Sequence, residues 1–330
     1  MFNPDDLTRF DGFDIIALRY KTVGDHEITT HVLIPSLLTQ NRHTAAENGS
    51  ASPIILRFHG GGFVGSSSLF PDFFALWHME LALKHSAVII SPNYRLMPES
   101  SAEDMLSDVE SLWIWLHEEL PELIASRTRG LVRLDTSRII TAGDSAGGYL
   151  SVMLGLSHPD DIRAVTASYP MIDLKHRHFT QSYEKPMVGL PQIPSLVVDL
   201  HLDKLKRGEI SPIISSDDRG ERFDLTFAYA QHGMYRGNFP TARRELFPLD
   251  RLEDGANFPR GGVYIWHGKS DSVVPVDGSI KLAEALRRSD EKAKVHLSIQ
   301  DGDHGFDSNS KLDDPWMSAI LKEAIAVWLE

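Results

Sequence analysis

The chain has 330 residues, 42% hydrophobic and 24% charged, an ordinary globular composition with enough length for a large core. Its net charge of −13 argues against nucleic acid or an anionic membrane as partner. It contains no cysteine, which excludes disulfides, thiolate metal sites and a cysteine nucleophile.

The start, Met1-Phe2-Asn3-Pro4-Asp5-Asp6, carries neither a basic cluster nor an apolar run, so no secretory signal is read there. No stretch approaches ~20 apolar residues, so no membrane span is expected and the expected location is the cytoplasm. The first predicted elements are a hairpin-like pair, Ile15 to Val23 and Ile28 to Ile34. Residues 39–53 are polar and read as a loop; within it Asn48-Gly49-Ser50 has the form of a glycosylation sequon but reads as plain surface. Apolar strands and helical patterns then alternate. Pro53 to Phe58 and Ala87 to Ile90 read as strands, and Glu103 to His117 as a helix with Leu106, Val109, Leu112, Trp113 and Leu116 at helical spacing. Arg138 to Thr141 and Arg163 to Ser168 read as strands. The alternation fails from about Met171 to Asn257, a stretch rich in His, Pro and aromatics. It resumes with strand Val263 to Trp266, helix Asp277 to Arg288, strand Lys294 to Ile299 and a closing helix, Pro315 to Leu329. Strands alternating with helices predict a mostly parallel sheet with helices on both faces.

Three motifs sit at strand ends. Gly143-Asp144-Ser145-Ala146-Gly147 follows the strand Arg138 to Thr141 and precedes a helix-like run, Tyr149 to Leu154. Strand, sharp turn, serine and helix is the context in which Gly-x-Ser-x-Gly forms a nucleophile elbow, and a turn that tight needs tiny neighbours. His59-Gly60-Gly61-Gly62 follows the strand ending at Phe58. Consecutive glycines let backbone N–H groups face an outside ligand, as acyl transfer requires where charge develops on a carbonyl oxygen. Asp271 and His304 each lie just past the end of a late strand. The order Ser145, Asp271, His304 is that of α/β-hydrolase triads, in which the imidazole takes the serine proton and the carboxylate fixes the tautomer.

On His59-Gly60-Gly61-Gly62-Phe63, Asn93-Tyr94-Arg95-Leu96-Met97-Pro98-Glu99, Gly143-Asp144-Ser145-Ala146-Gly147-Gly148 and the late Asp271 and His304, the chain resembles the hormone-sensitive-lipase-like serine esterases. The resemblance covers most of the chain and implies an α/β-hydrolase fold. It implies a core of residues 1–170 and 258–330, with a lid inserted at 171–257. It further implies oxyanion donors at the N–H groups of Gly61, Gly62 and Ala146, and hydrolysis of carboxylic esters; from the motifs themselves, no cofactor and no metal are expected. Two features depart from the family: the N-terminal segment before the hairpin is short, and Gly268 to Pro275 is closer to the Gly-x-x-Asp-x-Val-Pro pattern of related peptidases and esterases. Both bear on substrate preference.

Other patterns compete. Gly60-x-Gly62-x-x-Gly65 matches a dinucleotide fingerprint, but Ser66-Ser67-Ser68 and Pro71 make a loop where a helix should open, and the next strand ends without an acid. Gly268-Lys269-Ser270 lacks the first glycine of a phosphate loop. His176 and His178 form a lone His-x-His with no third ligand at a telling spacing. Asp301 and Asp303 rival Asp271 but adjoin His304 in sequence, a poor geometry for gripping its ring. His59 reads as a support of the oxyanion loop, and Glu99 and Asp144 as structural partners around the elbow. Phe179, Tyr183, Met187, Phe227, Tyr229, Met234, Tyr235 and Phe239 form either the insertion's own core or an acyl pocket. The expected function is hydrolysis of a small-molecule ester or thioester with an apolar acyl part, through an acyl-enzyme. The alternatives are a tailoring thioesterase, lactonase or acyl-transferring cyclase of natural-product biosynthesis, and a catalytically silent binding protein on the same fold.

Overall fold

The computed structural model describes residues 3–40 and 51–330; the Asn48-Gly49-Ser50 sequon lies outside them. One eight-stranded sheet runs in the order β1-β2-β4-β3-β5-β6-β7-β8. Its strands are β1 (Phe13–Val23), β2 (His26–Pro35), β3 (Ser52–Phe58), β4 (Val88–Pro92), β5 (Leu134–Gly143), β6 (Ile162–Ser168), β7 (Val263–Gly268) and β8 (Val295–Gln300). The β1–β2 hairpin is antiparallel and joins β4 antiparallel, while β3 to β8 are parallel to one another.

The central strands are buried on both faces, which is why they read as unbroken apolar runs. Along β3, Ile54, Leu56 and Phe58 enter one hydrophobic core and Ile55 enters the other. On the first face lie α3 (Ala102–Glu118), α5 (Ala146–Ser157) and α10 (Asp277–Ser289); on the second lie α2 (Leu76–His85) and α11 (Pro315–Leu329). A capping box closes the start of α3, Ser101 and Asp104 each bonding the other's backbone N–H. Two further helices, α1 (Ser36–Gln40) and α4 (Leu120–Arg127), are short and carry no long apolar stripe to announce them. Among the described residues no helix is long and apolar enough to cross a membrane.

Between β6 and β7 the chain leaves the sheet and forms a helical excursion. It contains α6 (Arg177–Thr180), α7 (Leu196–Lys206), α8 (Phe223–Gln231) and α9 (Pro248–Glu253), with helical turns at Met234–Gly237 and Arg244–Leu246. This is the stretch in which the strand–helix alternation fails. Much of it packs directly on the first core, through Phe179, Met187, Val198, Leu225, Tyr229 and Phe239.

Candidate active site

Strand β5 delivers Ser145 at its C-terminal end. The residue adopts φ 56° and ψ −115° immediately before α5. A non-glycine residue at positive φ is strained and is held there by its surroundings. Its N–H donates to Ser168 O at 2.9 Å, and its own carbonyl accepts the Met171 N–H at 3.1 Å. The small neighbours are required by close backbone approach: a β-carbon on Gly143 would stand 2.2 Å from Gly147 O, and one on Gly147 would stand 2.1 Å from Phe58 O.

Strand β3 delivers the glycine loop, with Gly61 at φ 95° and Gly62 at φ 60°. Among the described residues, the N–H groups of Gly61, Gly62 and Ala146 have no protein acceptor. The loop is held from behind. The buried imidazole of His59 bonds Gly60 O through Nδ1 at 2.8 Å and stacks on Tyr94, whose hydroxyl donates to His59 O at 2.7 Å. Burial pushes the His59 pKa down to about 3, so the ring is neutral and serves as a support. Asp144 packs under the loop and pairs at 2.7 Å with Arg57, which is buried in the otherwise apolar β3. On the outer side Arg222 of the excursion donates to Val64 O at 2.6 Å and Met97 O at 2.7 Å and forms a two-pronged pair with Glu99. His201 meets the same Glu99 carboxylate at 2.7 Å.

Strands β7 and β8 deliver Asp271 and His304. Asp271 Oδ2 lies 2.8 Å from His304 Nδ1, and Oδ1 accepts the N–H groups of Val273 at 2.9 Å and Val274 at 2.7 Å. A second imidazole, the fully buried His267, places Nε2 3.2 Å from the same Oδ2. Burial works against the Asp271 charge, but His304 and His267 outweigh it and hold the carboxyl well below the usual carboxylate range. Burial likewise works against a charged His304; Asp271 foremost, then Asp144 and Asp303, overcome it and raise its pKa above the ordinary 6.5. Asp303 makes no hydrogen bond to the ring; it accepts the Ser272 N–H at 2.7 Å and the His304 N–H at 2.7 Å. Asp301 is exposed.

Ser145, His304, Gly61 and Gly62 line one cavity of about 320 Å³. Its walls are mostly apolar, with Met171, Phe179, Phe223, Phe227, Tyr235 and Val273 among them. Of the excursion's aromatic and methionine side chains, Phe179, Phe227 and Tyr235 reach the cavity wall, Phe179 and Tyr235 while also packed in the core, whereas Met187, Tyr229 and Phe239 belong to the core alone. Tyr183 packs on the rim of neither, against Arg177 and Lys185.

Sequence reasoning passed over Asp307. Fully buried, it accepts the Ser168 hydroxyl at 3.0 Å, the Tyr169 hydroxyl at 2.8 Å and the Trp266 indole N–H at 2.7 Å. It ties the histidine loop to the ends of β6 and β7; the one visible signal was an acid in a loop rich in acids. Tyr169, its ring 4.5 Å from that of His304, had no signal at all. His178 of the His-x-His bonds Val273 O through Nε2 at 2.8 Å and Tyr183 through Nδ1 at 3.1 Å, and among the described residues no three His, Asp or Glu side chains converge as metal ligands.

Residues 55–225 match the family model described as the α/β-hydrolase fold. A relative named Probable carboxylesterase M8, of Phoma sp., is 29% identical over 94% of this chain and 95% of its own. Methylphloroacetophenone synthase of Cladonia uncialis is 26% identical over 91% of this chain but only 13% of its own length. Among solved structures, esterase 2 of Thermogutta terrifontis, phosphonylated by sarin, superposes with a TM-score of 0.56 at 17% identity, covering 96% of this chain and 93% of that one; at that identity the likeness speaks to the fold.

Proposed function

Since the chain belongs to the α/β-hydrolase family, in its hormone-sensitive-lipase-like branch, and is a hydrolase, we propose that it cleaves carboxylic esters through a covalent acyl-enzyme. The observation that carries this reading is the shared cavity. Ser145, the Asp271-held His304 and Gly61 and Gly62, whose N–H groups have no protein acceptor among the described residues, all line it.

The Ser145 oxygen attacks the ester carbonyl while its proton passes to His304 Nε2. Asp271 holds the Nδ1–H and stabilises the imidazolium that forms. The N–H groups of Gly61, Gly62 and Ala146 donate to the carbonyl oxygen as negative charge develops on it, an arrangement in which one donor is typically worth about 100- to 1000-fold in rate. The carbon–oxygen bond to the alcohol then breaks and His304 gives the alcohol its proton. Water repeats the sequence: His304 takes its proton, the acid is released, and Ser145 regains its hydrogen. Residues 171–257 act as the lid over a core of residues 1–170 and 258–330, supplying most of the apolar wall that would receive the acyl part.

A phosphonate probe for active serines tests the reading. It labels the wild-type protein and leaves Ser145→Ala unlabelled, and Ser145→Ala loses several orders of magnitude in ester turnover. An unlabelled wild-type protein would instead favour a silent binding protein on this fold.

The likeness to the Cladonia uncialis synthase favours a second reading, in which the same serine takes an acyl group from a thioester and passes it to water or to an internal nucleophile, closing a ring. Turnover of an acyl thioester against the matched ester separates the two.

A further inference from the structure

We infer that the Tyr235 hydroxyl binds a second oxygen of the substrate, on its acyl side, so that the preferred acyl groups carry a hydrogen-bond acceptor close to the scissile carbonyl. The inference rests on the ester-hydrolase reading above.

The chain has eight tyrosines. Seven hydroxyls have protein partners. Tyr20, Tyr94, Tyr149 and Tyr264 donate to backbone carbonyls. Tyr169 donates to Asp307 and Tyr229 to Asn238, and Tyr183 meets His178. Tyr235 stands apart: among the described residues its hydroxyl has no hydrogen-bond partner, although the residue is 1% exposed. Tyr235 lines the cavity, so its hydroxyl is a polar group in the wall that no protein atom among the described residues engages, the kind of group that orients a ligand. Burial raises the pKa of this phenol far above the ordinary 10, so it stays protonated and acts as a donor.

Its position is fixed. The ring is wedged edge-on against Phe63, Phe179 and Tyr229. The hydroxyl lies 2.9 Å from the point where Gly62 would carry a β-carbon. That places it beside the oxyanion loop, at the α-carbon of Gly62. The three backbone donors already suffice for one carbonyl oxygen, so the phenol is free for another. Its ring contacts are Phe63, Phe179 and Tyr229, whereas His304, where the leaving alcohol must sit to receive its proton, packs on Tyr169. The remaining hydroxyls of the cavity wall are engaged: Thr226 donates to Arg222 O, Ser308 to Gly305 O and Tyr169 to Asp307. Tyr235 is thus the free polar side chain in an apolar acyl wall, and an acyl oxygen is what it can recognise.

The test compares phenyl acetoacetate, which has a keto oxygen two carbons from the ester carbonyl, with phenyl butanoate, which lacks it. The readout is the ratio of kcat/KM for the two esters in wild type and in Tyr235→Phe. A lost neutral hydrogen bond lowers that ratio roughly 3- to 10-fold. A packing role or a role as a further oxyanion donor lowers both esters together, and an unchanged or increased ratio overturns the inference. Affinities of the two esters for Ser145→Ala and for Ser145→Ala/Tyr235→Phe, measured by calorimetry, give the same ratio without turnover. Undiminished ester turnover in Ser145→Ala would sink the serine reading, whereas an unchanged ratio in an enzyme that needs Ser145 sinks the Tyr235 inference alone.

Discussion

Asp303 bonds Ser272 and the backbone N–H of His304, not the imidazole ring. The Ser272 N–H and hydroxyl reach its Oδ1 at 2.7 and 2.8 Å, while Asp271 arrives from the preceding strand to hold His304 Nδ1 at 2.8 Å. Asp271→Asn should therefore cost on the order of 10⁴ in turnover, through loss of the tautomer that leaves Nε2 free to take the serine proton. Asp303→Asn should cost less than about tenfold, since an amide oxygen can still accept from Ser272. Assaying both variants on one ester decides it; the reverse ranking would move the acid to Asp303.

The pH profile follows from His304. Only neutral imidazole accepts the Ser145 proton, and the nearby carboxylates, Asp271 foremost, raise its pKa above 6.5. Activity should be lost as pH falls, with a midpoint above 6.5 in the wild-type protein. Residual activity of Asp271→Asn should show a lower midpoint, because burial then opposes the charged ring with less compensation. A wild-type midpoint below 6 would contradict the arrangement.

Gly147 joins the serine turn to the glycine loop. An added β-carbon meets backbone oxygens, Phe58 O at 2.1 Å and His59 O at 2.6 Å, so β3 and the elbow must part. Gly147→Ala should destabilise by about 1–3 kcal/mol, as overpacking does, and should lower kcat more than it raises KM. Thermal unfolding and steady-state kinetics on the same preparation measure both.

Glu99 anchors the helical excursion to the body of the protein through Arg222 and His201. Burial opposes its charge, but these two partners bring its pKa down to about 2 from 4.5. A carboxylate with a depressed pKa stabilises the fold above its unfolded pKa and loses that contribution as pH falls through the folded value. Stability should thus decline between about pH 5 and pH 2, and Glu99→Gln should flatten the Glu99 share of that decline. At pH 7 the variant should lose on the order of 3 kcal/mol, as when one partner of a buried pair is removed. Chemical denaturation across this pH range reads both effects, and equal slopes in the two proteins would exclude Glu99 as a source.

What the sequence determined by itself is what depends on local sterics and period. The elbow was legible because only Gly143, Ala146, Gly147 and Gly148 fit a turn that tight, and the central strands because burial on both faces leaves unbroken apolar runs. The chain order of Ser145, Asp271 and His304 was legible too, since each follows its own strand. The sequence favoured Asp271 over Asp301 and Asp303, all of which lie past strand ends, but the contact with His304 turns on how two loops from neighbouring strands face each other, which only tertiary structure supplies. Tertiary structure also sorted the aromatics of residues 171–257, sending Phe179, Phe227 and Tyr235 to the cavity wall and Tyr229 and Phe239 to the core alone. Short helices joined by irregular segments have no period long enough to mark an inward face, so the direction of each ring is set only when the excursion packs onto the sheet. Arg57 and Asp307 were hidden for the same reason: a buried charge is identified by the partner it finds, and that partner lies far away in the chain.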